Sequence, residues 1–216
     1  RHLYKHATGT SVIFEERNEI LGLAIEWELW ASQTFGLMRR CRLWDTSGRE
    51  RSLSILDGWH QLLPSGVSRD TYARYSYLAA AYMRHEASPG SPLALYTLNS
   101  GITDRAEPSE SLRAAAGWSI GLDDGVLLLS DRQVDAWLRG RPLRPEYETR
   151  GVFGSHLLAA TLALAPEGDH EWFVAADTRL DHASIVSLQA SLEDPSALRD
   201  ELATDLETAP LRLMRR

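Results

Sequence analysis

Ile20-Leu-Gly-Leu-Ala-Ile-Glu-Trp-Glu-Leu-Trp30 places Leu21, Leu23, Ile25, Trp27 and Leu29 on one face of an extended chain and Glu26 and Glu28 on the other. Successive side chains of a strand point to opposite faces, so a period of two predicts a strand with an apolar and a polar side. Working outward, Phe35 to Asp45 and Arg49 to Leu56 follow after short turn-like breaks, the second being Asp45-Thr-Ser-Gly48. Three such segments in succession predict an antiparallel meander.

Beyond it, Ser68 is positioned to cap a helix near residues 69–80 that runs into a strand near Tyr82. Strands are predicted again at Leu93 to Ser100 and Ala114 to Leu122, with Asp123-Asp-Gly125 turning tightly into Val126 to Leu129. Ser130 and Gln133 have the spacing of a capping box for a short helix over 131–139, with Gly140 just past its last turn. Phe153 to Ala165 and Asp169 to Asp177 read as a hairpin around Pro166-Glu-Gly168.

The pattern then turns helical. Asp181 caps a helix carrying Ile185, Leu188 and Leu192; Asp194, with Pro195 at the first helical position, opens another carrying Leu198, Leu202 and Leu206. Strands first and helices afterwards predict a mainly β sandwich over about 1–178 and a C-terminal helical linker segment over about 179–216. The leucine stripe needs a cover, and a linker parted from its neighbouring domain would leave part of it exposed or buried against another copy.

The 216 residues suffice for one sizeable core, and no apolar run reaches the length of a membrane span. The net charge of −7 argues against a nucleic-acid partner. Cys41 is the single cysteine, which excludes an intrachain disulfide or a cysteine metal cluster and fits a reducing, cytoplasmic setting. Arg39, Arg40 and Arg42 form the one basic cluster, read as solvated arginines over a sheet with Arg39 on the opposite face from the other two. The chain begins at Arg1 and stops directly after a helical pattern, which suggests an excised segment.

Ile55-Leu-Asp-Gly58 with Leu62-Leu-Pro64, Asp104-Arg-Ala-Glu-Pro-Ser-Glu110, Arg150-Gly151 and Trp172-Phe-Val-Ala-Ala-Asp177, in that order, resemble the N-terminal region of large bacterial proteins related to cellobiose phosphorylase. Trp59-His-Gln61 departs from the pattern, which has a leucine and an asparagine near that place. The resemblance implies an antiparallel β-supersandwich of the galactose-mutarotase-like type with short inserted helices, followed by helical linkers and an (α/α)6 barrel. It implies a glycoside phosphorylase or hydrolase as parent, with the general acid on the barrel, so no catalytic residue is assigned here. In such phosphorylases inorganic phosphate is the nucleophile, and one carboxylate suffices where an ordinary glycosidase uses two.

The candidate substrate-binding residues are Asp57, Trp59, His60, Asp104, Arg105 and Glu107. Asp104, Arg105 and Glu107, with Glu110, combine carboxylates with a guanidinium as a sugar site does, or else pin a loop by ion pairs. Asp57 before Gly58 fits a turn cap, while Trp59 and His60 fit a surface groove. Trp30, Trp44 and Trp59 are the tryptophans put forward as exposed rings for stacking on sugars. His156 and His170 would be cross-strand neighbours on the hairpin. No histidine spacing suggests a metal, and no cofactor motif is present.

Three functions follow as expectations. The first is a non-catalytic domain of a carbohydrate-active enzyme, with an oligosaccharide or polysaccharide, the (α/α)6 barrel of the same parent chain and a homodimer as its partners. The second is a free-standing mutarotase or epimerase, which needs a histidine and a carboxylate in one cleft. The third is a subunit-interaction module without a ligand.

Overall fold

The computed structural model describes residues 1–99 and 112–214. In chain order it contains β1 (His2–Lys5), β2 (Ser11–Asn18), β3 (Leu23–Ser32), β4 (Gly36–Asp45), β5 (Arg51–Leu62), α1 (Arg69–Ala81), β6 (Met83–Ala87) and β7 (Leu93–Leu98). After these come β8 (Ala114–Ile120), β9 (Val126–Leu128), α2 (Val134–Leu138), β10 (Glu148–Arg150), β11 (Gly154–Leu164), β12 (Asp169–Leu180), α3 (His182–Ser191) and α4 (Pro195–Met214). The expected mainly β architecture is present as two antiparallel sheets, one of nine strands in the order β1-β2-β3-β4-β12-β8-β7-β6-β10 and one of three in the order β5-β11-β9.

The strands β1 to β4 are a meander, but the next strand leaves it for the other sheet. In the large sheet β4, β12 and β8 are neighbours, and the small sheet has β5, β11 and β9 in the matching order. Each strand of the small sheet is therefore joined in sequence to the corresponding strand of the large one. Residues 165–168 accordingly connect two sheets rather than closing a hairpin, so β11 and β12 do not pair and His156 and His170 are not cross-strand neighbours. Local turn chemistry looks alike in both cases; what differs is which partner the strand finds.

The alternation predicted for β3 is real, yet both of its faces are used. Ile25 and Trp27 pack toward the small sheet, in a core with Cys41, Leu43, Leu158, Leu162, Trp172 and Val174. The opposite face is not left to solvent. Trp30 is 2% exposed and joins Met38, Trp118, Phe173, Leu198 and Leu202 in a second core beneath the C-terminal helices. Glu28, on that face, is buried and held by Arg40 at 2.6 Å.

Helices α3 and α4 thus form a third layer on the large sheet. Leu198 and Leu202 are buried there and Leu206 is partly buried, whereas Leu211, Leu213 and Met214 at the far end are exposed. Full burial of each leucine contributes about 1.5–3 kcal/mol. The expectation of an uncovered stripe is overturned for Leu198 and Leu202, because the sheet face they cover is itself apolar.

The helix starts follow the sequence closely. Ser68 accepts from Thr71 N–H at 3.0 Å, Asp181 from Ser184 N–H at 2.9 Å and Asp194 from Ala197 N–H at 3.0 Å. The capping box at Ser130 does not form, since α2 begins only at Val134 and its preceding Gln133 makes no side-chain cap. Ser130 and Gln133 instead donate to the carboxylate of Glu146, which also accepts the Leu129 N–H at 2.8 Å. A carboxylate offers several acceptor sites, and these outcompete a single cap.

Candidate functional site

Strand β5 runs through Asp57 and Gly58 to Leu62, so Asp57 does not cap a turn. Its backbone meets that of β11 closely: a side chain at position 58 would run into the His156 carbonyl. Three residues later Gln61 adopts φ +57° where the pairing slips between Trp59 with His156 and Leu62 with Gly154. One extra residue in β5 makes a β-bulge, which re-aims the side chains beside it.

The positions Leu53, Ile55, Asp57 and Trp59 share the inward parity of β5. Asp57 therefore carries its carboxylate between the sheets, where it accepts from Arg39 Nη2 at 2.6 Å, Trp172 Nε1 at 2.7 Å and the Cys41 thiol at 3.4 Å. Arg39 also donates to the Gly58 carbonyl at 3.1 Å and lies over the Trp59 ring at 4.8 Å. Asp57 is a clamp between sheets, not a cap, and Arg39 is not a solvated arginine. Arg42, paired with Asp169 at 2.7 Å, is exposed as expected. Burial, and next the neighbouring Asp57 charge, push the Cys41 thiol far up, so it stays protonated and inert.

On the outward side of the same strand lies a hollow of about 590 Å³ between the small sheet and α2. Asp57, Gly58 and His60 line it from β5, Asp131 and Arg132 from the segment that leads into α2, and Asp135 from α2 itself. His60 Nε2 and Asp131 Oδ2 are 3.1 Å apart and both side chains are about half exposed, so the pair faces water. Of the six sequence-predicted residues Asp57 and His60 border the hollow, Asp57 with its carboxylate turned away between the sheets. Trp59 is packed into the inter-sheet core, with its indole N–H buried and unpaired. Asp104, Arg105 and Glu107 lie outside the described residues, as does Glu110.

Asp131, Arg132 and Asp135 carried no signal at the level of sequence, because their place depends on where α2 settles. Glu146, which fixes that segment through Ser130 and Gln133, was equally invisible. Of the tryptophans proposed as exposed, Trp30 is in the core and donates to Asp205 at 3.0 Å, while Trp44 is half-buried beside Arg42. The error at Trp30 came from treating the glutamate-bearing face of β3 as solvent.

His156 is fully buried and shares the inward face of the small sheet with Asp57. Its Nε2 is 3.5 Å from Ser119 Oγ, its Nδ1 has no partner, and burial alone drives its pKa down to about 3. A carboxylate partner would raise that value, and none contributes. His170 Nε2 is 2.6 Å from the Gly121 carbonyl. Neither histidine is paired with Asp57 or Asp177. Among the described residues no group of three or more potential metal ligands converges, and no helix is long and apolar enough to cross a membrane.

Comparison of the sequence with protein-family models and with curated proteins finds no match.

Proposed function

We propose that this chain is a non-catalytic domain of a carbohydrate-active enzyme of the glycoside phosphorylase or hydrolase type, a galactose-mutarotase-like β-supersandwich that binds an oligosaccharide or polysaccharide over Gly58. The observation that carries the reading is the open polar hollow in which His60, Asp131, Arg132 and Asp135 meet. Sugar hydroxyls donate and accept at once, and a mixed lining of carboxylates, a guanidinium and an imidazole offers both complements. The (α/α)6 barrel of a parent chain is the covalent partner in this reading, and a homodimer is compatible with it.

Titration with gluco-, galacto- and manno-oligosaccharides, followed by NMR shifts of the His60 and Asp131 signals, tests the proposal. Binding that is lost in His60→Ala and Asp131→Ala, with unchanged melting temperature, supports it. Absence of binding at millimolar sugar, or turnover in hydrolase, phosphorylase or mutarotase assays, rejects it.

One observation favours the second reading, a free-standing mutarotase or epimerase: His60 and Asp131 form an acid/base pair at the edge of the hollow. Polarimetry of anomer equilibration decides this, since the rate must fall to background in His60→Ala.

A further inference from the structure

The small sheet is narrower than the large one, and its free side is not blank. Among the described residues, β5 is hydrogen-bonded to β11 on one side and to no strand on the other, although it is twelve residues long. An unpaired edge of that length presents a row of amide and carbonyl groups. The clamp at Asp57 sets β5 against β4 and β12, so its free edge looks toward β3, β2 and β1.

Those three strands carry apolar side chains on the face turned to the small sheet. The register aligns Leu3 with Phe14, Phe14 with Trp27 and Trp27 with Cys41, and Cys41 belongs to the inter-sheet core. Leu3 is 64% exposed and Phe14 45%, while Val12, Trp27 and Leu29 are half-buried. The result is a ledge: an apolar floor, bounded along one side by an unpaired backbone edge. Neighbouring strands lie about 4.8 Å apart, so one strand added to β5 sits above β3 and β2 with its inward side chains on this floor.

We propose that this ledge is a strand-addition site for an extended polypeptide segment of another protein. That segment has alternating apolar and polar residues and a carboxylate at the end that meets Lys5. Backbone hydrogen bonds to β5 supply affinity, and the side chains that rest on Leu3, Phe14 and Trp27 supply selectivity. Lys5 is exposed and shares the ledge face with Leu3 two residues away, which sets the preferred charge of the segment. A second copy of this chain does not fit. Antiparallel pairing of β5 with its own copy uses a two-fold axis normal to the sheet, which puts both nine-stranded sheets on the same side and in the same space. This inference does not depend on sugar binding at the hollow, which lies on the other face of β5.

The probe is a capped ten-residue peptide that alternates valine with threonine and carries glutamate at both ends, titrated against the chain by fluorescence anisotropy. Binding is expected to weaken by about tenfold or more both when alternate amides of the peptide are N-methylated and when Phe14→Glu is introduced. Phe14 is partly solvent-exposed, so the fold tolerates the charge, and an unchanged melting temperature verifies this. In amide exchange, β5 gains protection on peptide addition and β11 does not. No binding at about 1 mM peptide, binding indifferent to N-methylation or to Phe14→Glu, or concentration-dependent dimerisation that the same variant abolishes would each overturn the proposal.

Discussion

Trp172, at the centre of the large sheet, donates its indole N–H to the Asp57 carboxylate of the small sheet at 2.7 Å. The pair joins the two layers at mid-strand, and Arg39 completes it with an ion pair whose side chains are 14% and 17% exposed. Removing one member leaves a charge or an indole N–H stranded between sheets. Asp57→Asn is therefore expected to cost about 3–5 kcal/mol in urea unfolding, and the double change with Arg39→Met less than the sum of the two single changes. A loss under about 1 kcal/mol would show that water screens the clamp.

His156 makes stability fall with acid. Above its unfolded pKa near 6.5 both states are neutral and it contributes nothing to the pH dependence. Between that value and about 3 the unfolded chain takes up a proton that the buried native ring refuses. Stability then drops by about 1.4 kcal/mol per pH unit at most, and His85, lowered by burial before any other cause, acts in the same direction. Unfolding free energies measured from pH 7.5 to 4 should give a shallower slope for His156→Gln than for the parent. An identical slope would place the proton elsewhere.

Leu202, on the sheet-facing side of α4, is 0% exposed and belongs to the core that contains Trp30 and Phe173. Leu202→Ala should cost about 2–5 kcal/mol, with Leu211→Ala, on the exposed end of the same helix, within about 0.5 kcal/mol of the parent. Equal, small effects at both positions would mean that the helix is dispensable to the sandwich.

The alternation in β3 and the capping residues Ser68, Asp181 and Asp194 were legible because each depends on neighbours within a few positions. The allocation of strands to sheets was not. A strand such as β12, with Trp172 facing one core and Phe173 the other, is buried on both sides and reads the same whichever sheet it joins. Asp57 illustrates the finer limit. The dipeptide with Gly58 suggested a turn, yet its parity with Leu53, Ile55 and Trp59 already marked it as inward, and an inward carboxylate requires donors. Those donors, Arg39 and Trp172, could be identified only once the sheets were stacked. The Asp131 to Asp135 side of the hollow had no local signature at all.

Of the passages between the sheets, those after β4, β8 and β11 leave at one end of the sandwich, and those from β5 to β6, β9 to β10 and β10 to β11 lie at the other. At the first of these ends the Asp45 carboxylate accepts the N–H of Glu167, 122 residues away in sequence, and Asp45 N–H donates to the Gly168 carbonyl. Hydrogen bonds from the Ser47 hydroxyl and from the backbone at Glu167, Ser47 and Arg49 outweigh burial and keep the Asp45 carboxylate ionised far into acid. Both ends of the sandwich are thus crossed by the chain, and at this one the Asp45 carboxylate adds a stitch of its own. The two layers are tethered at both ends and latched at mid-strand by the Asp57 clamp, which leaves them no free end from which to peel apart.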